Sequence, residues 1–111
     1  LDGVAAVATR APLADQKQLL DLASRVQSKL GGDSAVVLGG ADGGKVGLVV
    51  LVSKGAVGRG LSAAAIVREA APVVGGGGGG RDEMAQAGGK DPGKLDEALA
   101  VARASIEREL R

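Results

Sequence analysis

The sequence predicts an α/β fold: a single compact domain in which a mixed β-sheet packs with about three helices. Three observations point there. A Val/Ala-rich run at the start precedes a segment of helical periodicity, two β-branched runs are joined by an Asp-Gly turn, and a strongly periodic helix closes the chain. The 111 residues suit one folding unit, so residues 1–111 are taken as one domain.

The first run, GVAAVAT at residues 3–9, is short and apolar and reads as a strand. Pro12 then opens a helix to about Leu30, with Leu19, Leu22, Ala23, Val26 and Leu30 on one apolar stripe. Gly31 and Gly32 follow, where a helix C-terminus favours a left-handed residue. The runs SAVVLGG (34–40) and KVGLVVLVS (45–53) flank ADGG, and Asp42-Gly43 is a strong hairpin signal. Their near-continuous apolar character implies helices on both faces.

KGAVGRGLS reads as a loop carrying Lys54 and Arg59, and Ser62 as the N-cap of a helix through Ala71 that Pro72 ends. MAQA (84–87) reads as a short strand before Gly88-Gly89. In the last helix Asp91 is the expected N-cap and Pro92 the first helical residue. Leu95, Ala98, Leu99, Ala102 and Ile106 form its buried stripe, while Arg103–Glu107 and Glu107–Arg111 pair on the wet side.

Composition narrows the chemistry. There is no Cys and no His, which removes disulfides, thiol nucleophiles, imidazole bases and zinc sites of the usual kind. Asp and Glu are scattered, and the adjacent pair Asp82-Glu83 lacks the further carboxylates a metal site needs. The absence of Phe, Tyr and Trp leaves Ala, Val and Leu to fill the core and denies the chain aromatic platforms for unpaired bases. A net charge of +1 predicts weak non-specific phosphate binding. No apolar run is long enough to span a bilayer, and no membrane partner is expected. The start at Leu1, without Met, basic segment or apolar leader, is read as that of a fragment from a longer cytoplasmic chain.

The main question is the run Gly75 to Gly80. Six glycines cost much backbone entropy to order. A linker would join two independent cores, yet the residues after the run amount to one short strand and one amphipathic helix, whose apolar stripe must return to the sheet. The run is therefore expected inside the domain, as a compact loop that something approaches closely. Dinucleotide and P-loop motifs fail on context: the run follows a helix, and Gly80 leads into Arg81-Asp82 instead of Lys-Ser/Thr.

The stretch VGGGGGGRDEMAQAGGKDP closely resembles the signature of the C-terminal domain of alanyl-tRNA synthetases. Gly75, Gly76, Gly78, Gly79, Gly80, Arg81, Met84, Ala85, Gln86, Gly88 and Gly89 match the pattern, and Gly77 replaces its usual lysine. LADQKQLLDLASRVQSKLGG, DGGKVGLVVLVSK and LSAAAIVREAA look similar too, so the resemblance covers nearly the whole chain. The fold it implies is that of the DHHA1 domain, which also ends many DHH-type phosphoesterases. There a Gly-Gly-Gly-His sequence reads phosphate or a nucleotide end, and Arg81 stands in place of that histidine.

What the resemblance implies is a tRNA-binding appendage without a catalytic site. It would contact the outer corner of tRNA(Ala) and help the aminoacylation and editing modules of a parent enzyme act on one tRNA. The resemblance implies a parent that uses ATP, magnesium and zinc; this fragment is expected to hold no cofactor. Its expected partners are tRNA(Ala), other domains of the parent chain and, through dimerisation, a second copy. The candidate RNA-binding residues are Gly76, Gly78, Gly79, Gly80, Arg81, Gln86, Lys54 and Arg59. The glycines would offer main-chain N–H groups and close approach. Arg81 would grip a phosphate or pair with Asp82 or Glu83. Gln86 would meet a ribose or base edge, or be a satisfied sheet-edge amide; Lys54 and Arg59 would contact phosphates or stay solvated. Two alternatives remain open at this point: the nucleotide-binding half of a DHH-type phosphoesterase, and a dimerisation module.

Overall fold

The structure, a computed structural model, describes residues 4–11 and 15–109. Five strands form one sheet in the order β1-β2-β3-β5-β4: β1 (Val4–Arg10), β2 (Asp33–Asp42), β3 (Lys45–Val52), β4 (Gly77–Gly80) and β5 (Met84–Gly89). The α-helices are α1 (Gln16–Leu30), α2 (Lys54–Gly58), α3 (Ala63–Ala70) and α4 (Leu95–Glu109). β1 and β2 run parallel and the other neighbours antiparallel, so the sheet is mixed, as the sequence predicts.

The hairpin forms where expected, but its two turn residues are Gly43 and Gly44, both left-handed at φ 57° and 83°, while Asp42 pairs with Lys45 across the strands. Its strands are buried on both faces. On one face Leu19 and Ala23 of α1 pack on Val36, Leu38, Val49 and Leu51. On the other, Ile66 and Val67 of α3 and Leu95, Ala98, Ala102 and Ile106 of α4 pack on Val37, Leu48, Val50 and Val52. This two-sided burial is what the unbroken apolar runs require.

Asp15 caps α1 by accepting from the Lys17 and Gln18 N–H groups, and Gly31 and Gly32 end it at φ 62° and 54°. Pro12 lies outside the described residues. Leu30 departs from the expected stripe: it is 36% exposed in the last turn and belongs to neither buried cluster. Residues 54–58 are also corrected, from loop to helix α2. Ser53 Oγ accepts the Ala56 N–H at 3.2 Å, and the two glycines of this segment, poor helix formers, hide the turn in the sequence. Ser62 caps α3 through the Ala65 N–H, and Pro72 falls in a 3₁₀ turn, Ala71–Val74, that ends it.

The stripe of α4 is buried as predicted, and Arg103 pairs with Glu107 at 3.6 Å. Arg111 lies outside the described residues. Asp91 does not cap α4 with its side chain; Pro92–Lys94 tighten into a 3₁₀ turn first, and the Asp91 carbonyl accepts the Lys94 N–H at 3.1 Å.

The largest correction concerns the glycine run. It lies inside the domain, as argued, but Gly77–Gly80 form an edge strand, not a loop. Its register on β5 is Gly77↔Gly88, Gly78↔Ala87, Gly79↔Gln86 and Gly80↔Ala85. A Cβ at Gly76, Gly78 or Gly80 would run into the main chain of β5, at the carbonyl oxygens of Gly88, Gln86 and Met84 respectively. A Cβ at Gly77 or Gly79 would meet nothing within 4 Å. The run therefore divides by strand alternation into a packed set and an open set.

Two outcomes test this packing by chemical denaturation. Leu95→Ala and Ile106→Ala, both fully buried in α4, should each cost about 2–5 kcal/mol. Gly78→Ala and Gly80→Ala should cost about 1–3 kcal/mol, because main chain must move to admit the methyl, whereas Gly77→Ala should change stability by less than about 0.5 kcal/mol.

Candidate functional site

The edge strand is entered through a sharp reversal. Gly75 sits at φ 70° after the 3₁₀ turn, and the Gly76 N–H donates to the Ala71 carbonyl at 3.1 Å. From there alternate main-chain groups face β5. The Arg81 N–H donates to the Met84 carbonyl at 2.7 Å. In an antiparallel ladder the bonded pairs then fall at Gly79–Gln86 and Gly77–Gly88. The N–H and C=O groups of Gly78 and Gly80 consequently point to the free edge, where nothing among the described residues takes them up.

The two faces of β4 differ as well. Ala85 and Ala87, partners of Gly80 and Gly78, are buried in the cluster beneath α3 and α4, and the Ala-rich side of α3 lies close against this corner. Gly77 and Gly79 share the opposite face with Gln86 and Met84. Helix α1 covers β2 and β3 on that face; Gln86 is half-buried and all four glycines of β4 are exposed. The result is a strip free of side chains along β4, on the sheet face that α1 covers further in.

Arg81, Asp82 and Glu83 form the turn between β4 and β5 and are all exposed. Arg81 does not pair with its acidic neighbours: Asp82 Oδ1 accepts the Ser62 hydroxyl at 2.8 Å, and the Arg81 guanidinium has no partner among the described residues. The Val52 N–H donates to the Glu83 carbonyl at 2.8 Å, so the turn lies against the end of β3. Lys54, two residues on, is exposed and likewise without a side-chain partner among the described residues. Arg59 belongs to the same end of the sheet but is engaged within the chain, its Nε 3.7 Å from Asp33 Oδ2 at the start of β2.

Gln86 is not a sheet-edge residue. It lies in β5, between β3 and β4, with its Nε2 3.8 Å from Met84 Sδ. The structure thus brings Arg81 and Lys54 to one end of the sheet, sets Gln86 beside Gly79 on the open face, and ties Arg59 to Asp33. Sequence reasoning set Gly77 aside as a lost lysine, yet it shares the open face with Gly79. Strand alternation would have exposed this, but polyglycine carries no strand signal of its own. No group of three or more Asp and Glu among the described residues is placed to hold a metal ion, and no described helix is long and apolar enough to cross a membrane.

A family model described as the DHHA1 domain matches residues 3–108. An alanine–tRNA ligase from Acetivibrio thermocellus is 48% identical over 110 residues, which are 99% of this chain and 12% of that protein. One from Desulforudis audaxviator is 50% identical over 107 residues, 96% of this chain and 12% of the relative. The crystal structure of the C-Ala domain from Aquifex aeolicus alanyl-tRNA synthetase superposes with a TM-score of 0.75 at 29% identity, covering 93% of this chain and 89% of that one. The chain therefore spans about an eighth of the length of these ligases (12%) and nearly all of the excised domain. Matched by the family model over almost its whole length, and sharing the fold of the C-Ala domain, the chain belongs to the DHHA1 domain family.

Proposed function

We propose that this chain is the globular C-terminal tRNA-binding domain of an alanyl-tRNA synthetase. It rests against the outer corner of tRNA(Ala) and helps the aminoacylation and editing modules of its parent act on one bound tRNA. The reading places catalysis, with its ATP, magnesium and zinc, in other parts of the parent; it gives this chain no catalytic residue and a cytoplasmic setting. The relatives, named as alanine–tRNA ligases, supply the enzymatic context.

The observation that carries the proposal is the pair Gly77 and Gly79. Both lie in a strand, neither has a positive φ, and a Cβ at either would meet nothing within 4 Å. Glycine in a strand sacrifices backbone entropy and packing, and nothing among the described residues requires it at these two positions. A face kept bare against that cost serves a ligand that lies close to main chain. Arg81 at the end of β4 and Lys54 after β3, at the same end of the sheet and both unpaired among the described residues, supply charge for phosphates.

The chemistry fits a folded RNA better than an unpaired one. With no aromatic residue the chain lacks the main platforms on which splayed bases stack. Shape, main-chain donors and a few phosphate contacts remain, which suffice to orient a tRNA but not to hold it tightly at a net charge of +1. Affinity in the parent comes mostly from linkage to its other modules.

Titration with a tRNA(Ala) transcript and with a short single-stranded RNA tests this. Saturable binding of the transcript and indifference to the single strand are expected; the reverse preference favours a nucleotide-end binder of the phosphoesterase type. Arg81→Ala combined with Lys54→Ala should weaken transcript binding about tenfold or more and reduce the salt slope by about 1 per cation removed. Gly79→Val separates fold from function. It should leave stability unchanged or raise it by up to about 1 kcal/mol, yet weaken transcript binding. No transcript binding at low salt, or full binding by Gly79→Val, contradicts the proposal.

A further inference from the structure

The turn at residues 81–83 is fastened to the start of α3. A helix leaves its first N–H groups without intrahelical partners. In α3 the first three each find one. The Ala63 N–H donates to the Asp82 carbonyl at 2.8 Å, the Ala64 N–H to the Arg81 carbonyl at 3.2 Å, and the Ala65 N–H to Ser62 Oγ at 3.3 Å. The Ser62 hydroxyl in turn donates to Asp82 Oδ1 at 2.8 Å, which sets the Asp82 carboxylate at the positive end of the helix. From the other side the turn is held by Arg81 N–H to Met84 and by Val52 N–H to Glu83. Four main-chain bonds and one side-chain bond thus fix an otherwise exposed hairpin turn, and the serine and aspartate involved are 20 residues apart in sequence.

We infer that Ser62 and Asp82 are positioning residues for Arg81: their hydrogen bond locks the turn so that the guanidinium is presented, already oriented, to an RNA phosphate. The inference rests on the phosphate role of Arg81 proposed above. It makes a prediction that charge counting reverses. An aspartate beside a phosphate-binding arginine repels RNA, so its removal should tighten binding if the carboxylate were only a surface charge. If it is a strut, removal frees the turn, and binding must then re-order it.

Binding of the tRNA(Ala) transcript at one fixed salt concentration decides between these. The whole chain is compared with Asp82→Ala, Asp82→Asn, Ser62→Gly, Arg81→Ala and the Arg81→Ala/Asp82→Ala double variant, each melted to establish that it is folded at the assay temperature. Asp82→Ala and Ser62→Gly should each weaken binding about 2- to 10-fold. Asp82→Asn has the same charge as Asp82→Ala but keeps an oxygen for the Ser62 hydroxyl, and it should bind at least as tightly as the unaltered chain. In the Arg81→Ala background Asp82→Ala should cause no further loss. Ser62→Gly carries the test where Asp82→Ala does not fold, because glycine keeps most of the N-capping value of serine. The clamp is overturned if Asp82→Ala or, in its place, Ser62→Gly fails to weaken binding, or if the loss persists undiminished without Arg81. An Arg81→Ala variant that binds normally overturns the phosphate role itself, a separate result.

Discussion

The structure depends on one constraint: β4 must approach β5 more closely than any side chain allows. The core has no aromatic residue, so it gains little from any single contact and relies on small residues brought close together. At the corner where β4, β5 and α3 meet, the residues are Gly78, Gly80, Ala85, Ala87 and the buried alanines of α3, Ala63, Ala64 and Ala70. A Cβ on the packed side of β4 would strike main chain, which cannot rotate away as a side chain would. This fixes the glycine run as a strand even though its residues have poor strand propensity. Tertiary packing overrides local preference here, and it does so through exclusion rather than attraction.

The same strand creates an unusual surface. Sheet edges are normally blunted by charges, proline or bulges, because unpaired N–H and C=O groups invite other chains. In β4 the edge carries no side chains at all, and its one charged neighbour in sequence is the cation Arg81. Main-chain donors at the edge, a bare shelf on the α1 face, and cations at one end form a surface able to read shape and phosphate without reading bases. Rigidity gives that surface its value: the turn bearing Arg81 is bonded both to the end of β3 and to the start of α3, so few groups need ordering when a partner arrives.

Much of this was legible in the sequence, for identifiable reasons. The α4 stripe, the α3 cap at Ser62 and the β2–β3 hairpin rest on local signals that tertiary contacts reinforce. The argument that residues after the run cannot fold alone placed the glycines inside the domain. It could not show that they form a strand, since a run without side chains has no periodicity to read. Helix α2 was hidden by its glycines, and the tie between Arg59 and Asp33 by its long-range character. The bond between Ser62 and Asp82 was equally out of reach, because Ser62 is already explained as a helix cap and Asp82 lies 20 residues away in sequence.

Amide hydrogen exchange resolved at the individual glycines of the intact chain tests the central claim most directly. An ordered edge strand in the register described predicts slowed exchange at Gly77 and Gly79, whose N–H groups face β5, and fast exchange at Gly78 and Gly80, whose N–H groups face solvent. Uniformly fast exchange from Gly75 to Gly80 would mean that the run is not a fixed part of the sheet, and the account of both its packing and its surface would be wrong.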